Sequence, residues 1–378
     1  MSDEASSPVS TPRYLIILST VLAVVLIIAV ITAAKITVDR KVYAPVALGP
    51  VDAPEASSQV CSDFVAGLPE KMDRFRAVEV RDPRPDGTAA YRDSSGSELS
   101  VRCGVNVPDQ YSELSPVVSE GDTRWTAVSD ATPGSDLRTW YAVGGSPAVA
   151  VTASADVGDA LGAVGSALSS VYDANSPAKP APYPLSDAAV AGGSGSREAG
   201  GSTSGDAGGS TSGGATESPA CHKFLGSLPE TLGDWRLVHR SAGGTEKGAD
   251  QDKQGTDLVK PDLLPDGVDR SVLDKAPSGS ATYLAEEQEP VVIRCGLAMP
   301  KSYAPGAQLT QVNKVPWFSD PSLSRGSTMG RWFALGHEQV IGLAMPQSAG
   351  NEVISSVSSA ISTSLKNTEK AESSAQSR

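Results

Sequence analysis

Val101-Arg102-Cys103-Gly104-Val105-Asn106-Val107-Pro108 returns later in the chain as Ile293-Arg294-Cys295-Gly296-Leu297-Ala298-Met299-Pro300. The spacing of 192 residues holds around it: Pro85, Gly87, Ala89, Tyr91, Tyr111, Trp125, Trp140 and Gly144 each meet their own residue type. Over residues 85–144, 15 of 60 positions match without a gap, too many for chance in a chain with five Trp and four Cys. Upstream the spacing is 160, which pairs Cys61, Phe64, Leu68, Pro69, Glu70 and Arg76 with Cys221, Phe224, Leu228, Pro229, Glu230 and Arg236. The chain is an internal duplication, and the second copy carries a 32-residue insertion between Ser241 and Pro277.

Period-two alternation places Leu99, Val101, Cys103 and Val105 on one face of a strand, and Val291, Ile293, Cys295 and Leu297 on the equivalent face. Each cysteine then faces the core and clamps the first helix of its copy to the sheet. In an oxidising compartment the four cysteines read as Cys61–Cys103 and Cys221–Cys295. Loop entropy values each bridge at roughly 4 kcal/mol at most. A four-thiolate zinc site is the rival, but the chain lacks the close Cys-x-x-Cys pairing such sites use. Arg102 and Arg294 fall on the opposite face beside Gly104 and Gly296, where glycine signals a bulge or the close approach of another backbone. An arginine in that setting can bind a carboxylate or phosphate. The plainer alternative pairs it with a local acid, Glu70 or Glu230. Tyr111, Tyr303, Trp125 and Trp317 complete this candidate binding face, with core packing the plainer account of the aromatics.

Working outward, Val60, Phe64, Val65 and Leu68 recur at helical spacing before Pro69. Phe75–Val80, Leu99–Val105, Arg124–Val128, Thr139–Val143 and Ala148–Thr152 read as strands. Val157, Ala160, Leu161, Val164, Leu168 and Val171 form the stripe of a closing helix with Asp156 as N-cap; Val353, Ile354, Val357, Ile361 and Leu365 form its counterpart. The expected fold class is α+β: two repeated domains, each an antiparallel-type sheet packed with an N-terminal and a C-terminal helix and holding one internal disulfide.

Tyr14–Ala34 is an uncharged run of 21 residues, about 30 Å as a helix, enough to cross a bilayer core. A cleaved signal peptide is the alternative, but its apolar region is shorter, about 7–15 residues. Lys35, Arg40 and Lys41 outnumber Arg13 across the span and by themselves place the C-terminal part inside the cell. The paired cysteines place it outside, and long domains cross largely regardless of flanking charge. The reading is a single pass in the cytoplasmic membrane with the C-terminal domains extracytoplasmic. In order, residues 1–13 are a cytoplasmic tail, 14–34 the transmembrane helix, 35–57 a stalk and 58–173 the first repeat. Residues 174–220 are a Pro-rich, then Gly/Ser/Thr-rich linker, 221–366 the second repeat with its insertion near 241–277, and 367–378 a disordered tail. The linker reads as a flexible tether that lets the copies move independently, and the insertion as an exposed, mobile loop.

A net charge of −13 argues against nucleic acid as a partner. His222, His239 and His337 all lie in the second copy, and no nucleophile elbow, P-loop or His-Glu-x-x-His occurs. Residues 250–255 imitate the start of a calcium loop, but Pro261 stands where the bidentate Glu is needed. No metal or cofactor is expected.

Cys followed by Leu-Pro, an Arg-Cys-Gly strand ending in Pro, and a Trp about 22 residues after the strand's Cys together resemble the actinobacterial family called domain of unknown function 3515. The resemblance covers residues 61–172 and 221–365. It implies a small exported or single-span envelope protein and supplies no catalytic residues. The expected function is a membrane-anchored tandem module that binds or scaffolds an envelope protein or wall polymer, with two copies suited to bivalent contact. The alternatives are an envelope enzyme that uses His337 in the second copy, and a regulatory subunit held to a membrane complex through Tyr14–Ala34.

Overall fold

The computed structural model describes residues 13–132, 134–154, 156–192, 215–241, 258–286, 288–304, 306–321 and 327–368. The chain opens with α1 (Arg13–Val42), which runs without a break from the apolar stretch through Lys35, Asp39, Arg40 and Lys41. Ile17–Val42 is the one helix among the described residues long and apolar enough to cross a membrane. The eight residues beyond Ala34 add about 12 Å of helix. Arg92 then donates from Nη1 to the carbonyl of Val42 at 3.2 Å, and the Arg76 guanidinium lies 5.5 Å from the Tyr43 ring centre. The stalk is folded onto the first copy from there: Val46 N–H bonds Glu79 O and Arg81 N–H bonds Val46 O.

The first copy contains α2 (Gln59–Gly67), β1 (Lys71–Met72), β2 (Phe75–Val78), β3 (Thr88–Arg92), β4 (Glu98–Cys103), β5 (Val118–Glu120), β6 (Thr123–Ser129), β7 (Leu137–Ala142), β8 (Val149–Ser154) and α3 (Ala160–Ser169). The second contains α4 (Pro219–Ser227), β9 (Thr231–Leu232), β10 (Trp235–Arg240), β11 (Leu258–Val259), β12 (Ser280–Leu284), β13 (Val291–Leu297), β14 (Leu309–Val312), β15 (Val315–Asp320), β16 (Met329–Ala334), β17 (Val340–Pro346) and α5 (Gly350–Ser364). Both sheets are antiparallel and share one topology, β1-β2-β3-β4-β8-β7-β6-β5 and β11-β10-β12-β13-β17-β16-β15-β14, with β9 on β10. Two meanders thus meet beside the duplicated strand, β4 or β13, which lies mid-sheet; β9 stands where β1 does, and β11 is an edge strand added by the insertion.

The two helices of each copy cover one sheet face. Phe64, Val164 and Leu168 pack with Leu99, Val101, Cys103 and Trp125; Phe224, Val353, Val357 and Ile361 pack with Val291, Ile293, Cys295 and Trp317. The duplicated serines Ser58 and Ser218 cap α2 and α4, each accepting from the following cysteine's N–H at 3.2 Å. Tyr91 and Tyr283 fix the Leu-Pro turn after these helices by donating to Pro69 O and Pro229 O. The disulfides Cys61–Cys103 and Cys221–Cys295 are formed and tie the first helix of each copy to its central strand.

Several expectations need correction. Asp156 does not cap the closing helix: α3 begins at Ala160 after Asp159, while the Asp156 carboxylate accepts from Gly158 N–H. Leu297 leaves the core face because the β13–β17 register shifts between Cys295 and Leu297; it joins Phe318 and Phe333 on the other side. Residues 174–192 are not a free tether. Tyr183 and Leu185 pack on the second sheet with Val238, Leu284 and Val292, joined by Leu114 from the first copy. The described end of the insertion is folded too, with Val272 and Leu273 buried in the same cluster. The apolar reason is visible in the strands: β13 is buried along its whole length, whereas β4 alternates. The calcium-like stretch at 250–255, the tail at 1–12 and residues 369–378 lie outside the described residues.

Candidate functional site

Trp125 and Trp317 are fully buried, so neither presents a surface to a ligand; Trp317 Nε1 donates to Ser358 Oγ at 2.9 Å inside the core. Tyr303 packs edge-on against Phe318, 5.2 Å between centres. Tyr111 is buried beside the first copy's duplicated strand, and burial pushes its hydroxyl pKa up, with Arg124 opposing. The candidate face therefore does not assemble as one surface.

Arg102 and Arg294 do act alike, but not as the sequence suggested. Neither pairs with Glu70 or Glu230; Glu230 is held by Lys260. Arg102 donates from Nη2 to Gly49 O at 2.9 Å. Arg294 donates from Nη1 to Leu185 O at 2.8 Å and Ala188 O at 3.2 Å, and from Nε to Ser278 O at 3.2 Å. Both clamp the carbonyls of the segment leading into their own domain, stalk or linker. Burial draws both guanidinium pKa values below their usual position, with Asp187 countering at Arg294, yet an arginine so placed keeps its charge.

The glycine after each cysteine lets that lead-in pass. Gly104 has φ +76, and an added Cβ would fall 2.3 Å from Glu55 C; Gly296 has φ +78 and the same conflict with Ala215 C at 2.5 Å. The close backbone approach expected at this position is present in both copies.

Beyond the glycine the copies diverge. In the second, the linker pairs with the strand end: Val190 bridges Leu297 antiparallel, Ala298 N–H bonds Ala189 O at 2.8 Å, and Ala191 N–H bonds Gly296 O at 2.9 Å. In the first, Glu55 N–H reaches Gly104 O at 3.2 Å, but Val105, Asn106 and Val107 join no strand. They line a groove of about 640 Å³ with Tyr111, Ser146 and Lys179. Asn106 is exposed and bonds through its side chain to Asp52. This groove is the candidate site, and its chemistry is that of a strand edge: backbone donors and acceptors beside small apolar walls.

The junction between copies is polar and buried at one point. Glu289 is 2 % exposed and accepts through Oε1 from Gln110 Nε2 at 2.9 Å, Ser129 N–H at 3.2 Å and Thr328 Oγ1 at 3.2 Å. Gln110 Oε1 in turn accepts from Thr328 N–H and Ser327 Oγ. Burial pushes the Glu289 carboxyl pKa up. Arg331–Asp187 and Lys275–Glu113 add ion pairs around this seam. Gln110 and Glu289 escaped notice in the sequence because the repeat does not duplicate them: their counterparts are Ser302 and Ser97.

His337 Nδ1 lies 2.9 Å from Leu335 O, and His239 is buried in β10. No group of three metal-ligating side chains occurs among the described residues.

Comparison with curated proteins finds no match, and comparison with solved structures finds none either. The family described as "Protein of unknown function (DUF3515)" matches over residues 20–181 and 247–370, more than half of the chain, with the whole first copy and most of the second. The chain belongs to that family.

Proposed function

We propose that this chain is a membrane-anchored binding module held outside the cytoplasmic membrane, with the first copy receiving a partner and the second copy serving as its packed support. The open groove at Val105–Val107 carries this reading, because the second copy's equivalent edge is filled by the chain itself. The anchor reading rests on Ile17–Val42. The outward orientation rests on the two disulfides, which persist in oxidising compartments. The docked linker favours one receiving groove over bivalent contact through two free domains. An envelope protein is the partner class that suits an edge of backbone donors and acceptors.

A photo-crosslinking side chain placed at Val107 in intact cells tests this. A discrete adduct with an envelope protein, missing when the probe sits at the exposed Glu120, is the expected result. Equal labelling from both positions, or none from Val107, contradicts the proposal.

A further inference from the structure

The second copy shows what its own strand edge accepts. Between a bend at Ala188 and a turn that starts at Ala191, Ala189 and Val190 lie beside Gly296–Ala298, held by Ala298 N–H to Ala189 O and by Ala191 N–H to Gly296 O. The first copy repeats the strand, but there Glu55 N–H takes the place of Ala191 on the glycine carbonyl, and among the described residues none takes the place of Ala189. Ser58 caps α2 three residues after Glu55, and Ala56 N–H folds back to Ala53 O, so the stalk meets Asn106 through the Asp52 side chain but does not pair with its backbone. In the second copy Ala191 precedes the corresponding cap, Ser218, by 27 residues, which leaves chain enough to lie along the edge. The consequence is local: Leu297 is buried, whereas Val105 is half-buried and Asn106 exposed. Among the described residues, no backbone group pairs with Asn106 N–H.

We propose that Val105–Val107 is a strand-addition site for an extended, small-residue segment of a partner protein, seated as Ala188–Ala191 is seated in the second copy. This rests on the binding reading above and names its ligand class. Main-chain hydrogen bonds supply the contact in such additions, and shallow pockets for alternate side chains supply the choice. Here the partner offers a carbonyl to Asn106 N–H. The free lone pair of Gly104 O accepts from a partner N–H, Glu55 N–H holding the other. The side chains that fit are small, because Tyr111 and the stalk at Pro54 bound the groove.

The test uses the full chain in nanodiscs and the peptide Leu-Ser-Asp-Ala-Ala-Val-Ala-Gly, the chain's own residues 185–192, carrying a fluorophore. Saturable binding at up to millimolar peptide is expected. Asn106→Pro, which removes the backbone donor, should weaken it roughly tenfold, while Asn106→Ala, which keeps the donor, should bind like the wild type. In wild type and Asn106→Ala alike, added peptide should slow amide exchange at residues 105–107; this readout does not depend on Asn106→Pro folding. Wild-type chain that shows no saturable binding overturns the proposal, as does unchanged exchange at 105–107. If the peptide fails but Val107 still crosslinks to an envelope protein, strand addition is wrong and the binding reading stands; loss of both removes both.

Discussion

Gln110 of the first copy donates to Glu289 of the second over 2.9 Å, in a site where the carboxylate is 2 % exposed. Because Gln110 also accepts from Thr328 N–H and Ser327 Oγ, one side chain satisfies groups on both sides of the seam. Gln110→Ala strips a buried carboxylate of one donor and two further groups of their acceptor. Leaving such groups unsatisfied costs about 1–3 kcal/mol. A lower denaturant midpoint and easier proteolysis between the copies are expected; an unchanged midpoint would show that the seam is not closed in solution.

The same carboxylate makes docking depend on pH. Burial raises the Glu289 pKa from its usual 4.5, so the docked state holds the proton more tightly than the separated or unfolded state does. The sign follows: docking is favoured below that ordinary value and weakens as pH rises from there through the raised value. Glu289→Gln has no proton to lose. Subtracting its urea midpoints from those of the wild type across this window should leave a difference that falls with rising pH, and a difference that rises would refute the assignment.

Gly104→Ala places a methyl carbon 2.3 Å from Glu55 C in a backbone region that L-residues avoid. The stalk must move off the strand. A loss of more than about 1 kcal/mol is expected, together with faster amide exchange over residues 53–57. Wild-type exchange there would mean the close approach is not required.

The disulfides are separable. Replacing Cys61 and Cys103 by Ser should destabilise the first copy by up to roughly 4 kcal/mol on the loop-entropy account, while Cys221–Cys295 still forms. Mass mapping of thiols together with denaturation checks both points, and free thiols at Cys221 and Cys295 in that variant would contradict autonomous folding of the two cores.

The sequence showed clearly whatever the duplication repeats. Cys103 recurs as Cys295 and Cys61 as Cys221, and the alternation of Cys103 and Cys295 with Leu99, Val101, Val291 and Ile293 placed them on the helix-covered face. The closing helices were legible from their apolar stripes. The arginine partners were not, because backbone carbonyls at Gly49, Leu185 and Ala188 leave no residue type to read. The docked linker left a fainter trace. Val291-Val292-Ile293 is apolar on both faces where Leu99-Ser100-Val101 alternates, and only a strand covered twice needs that. Tyr183 and Leu185 were the missing cover, set among prolines that suggested an open tether. The groove itself arises from a difference in lead-in length, which composition does not display.

Amide hydrogen exchange at Asn106 and Ala298 compares the two edges most directly. The two residues hold equivalent positions in the repeat, and Ala298 N–H is bonded to Ala189 O while, among the described residues, no backbone group pairs with Asn106 N–H. Protection at Ala298 that exceeds Asn106 by orders of magnitude in unliganded protein is the predicted result. Equal protection at the two amides would mean that both edges are filled or both are open, and the asymmetry on which the proposed binding site depends would be absent.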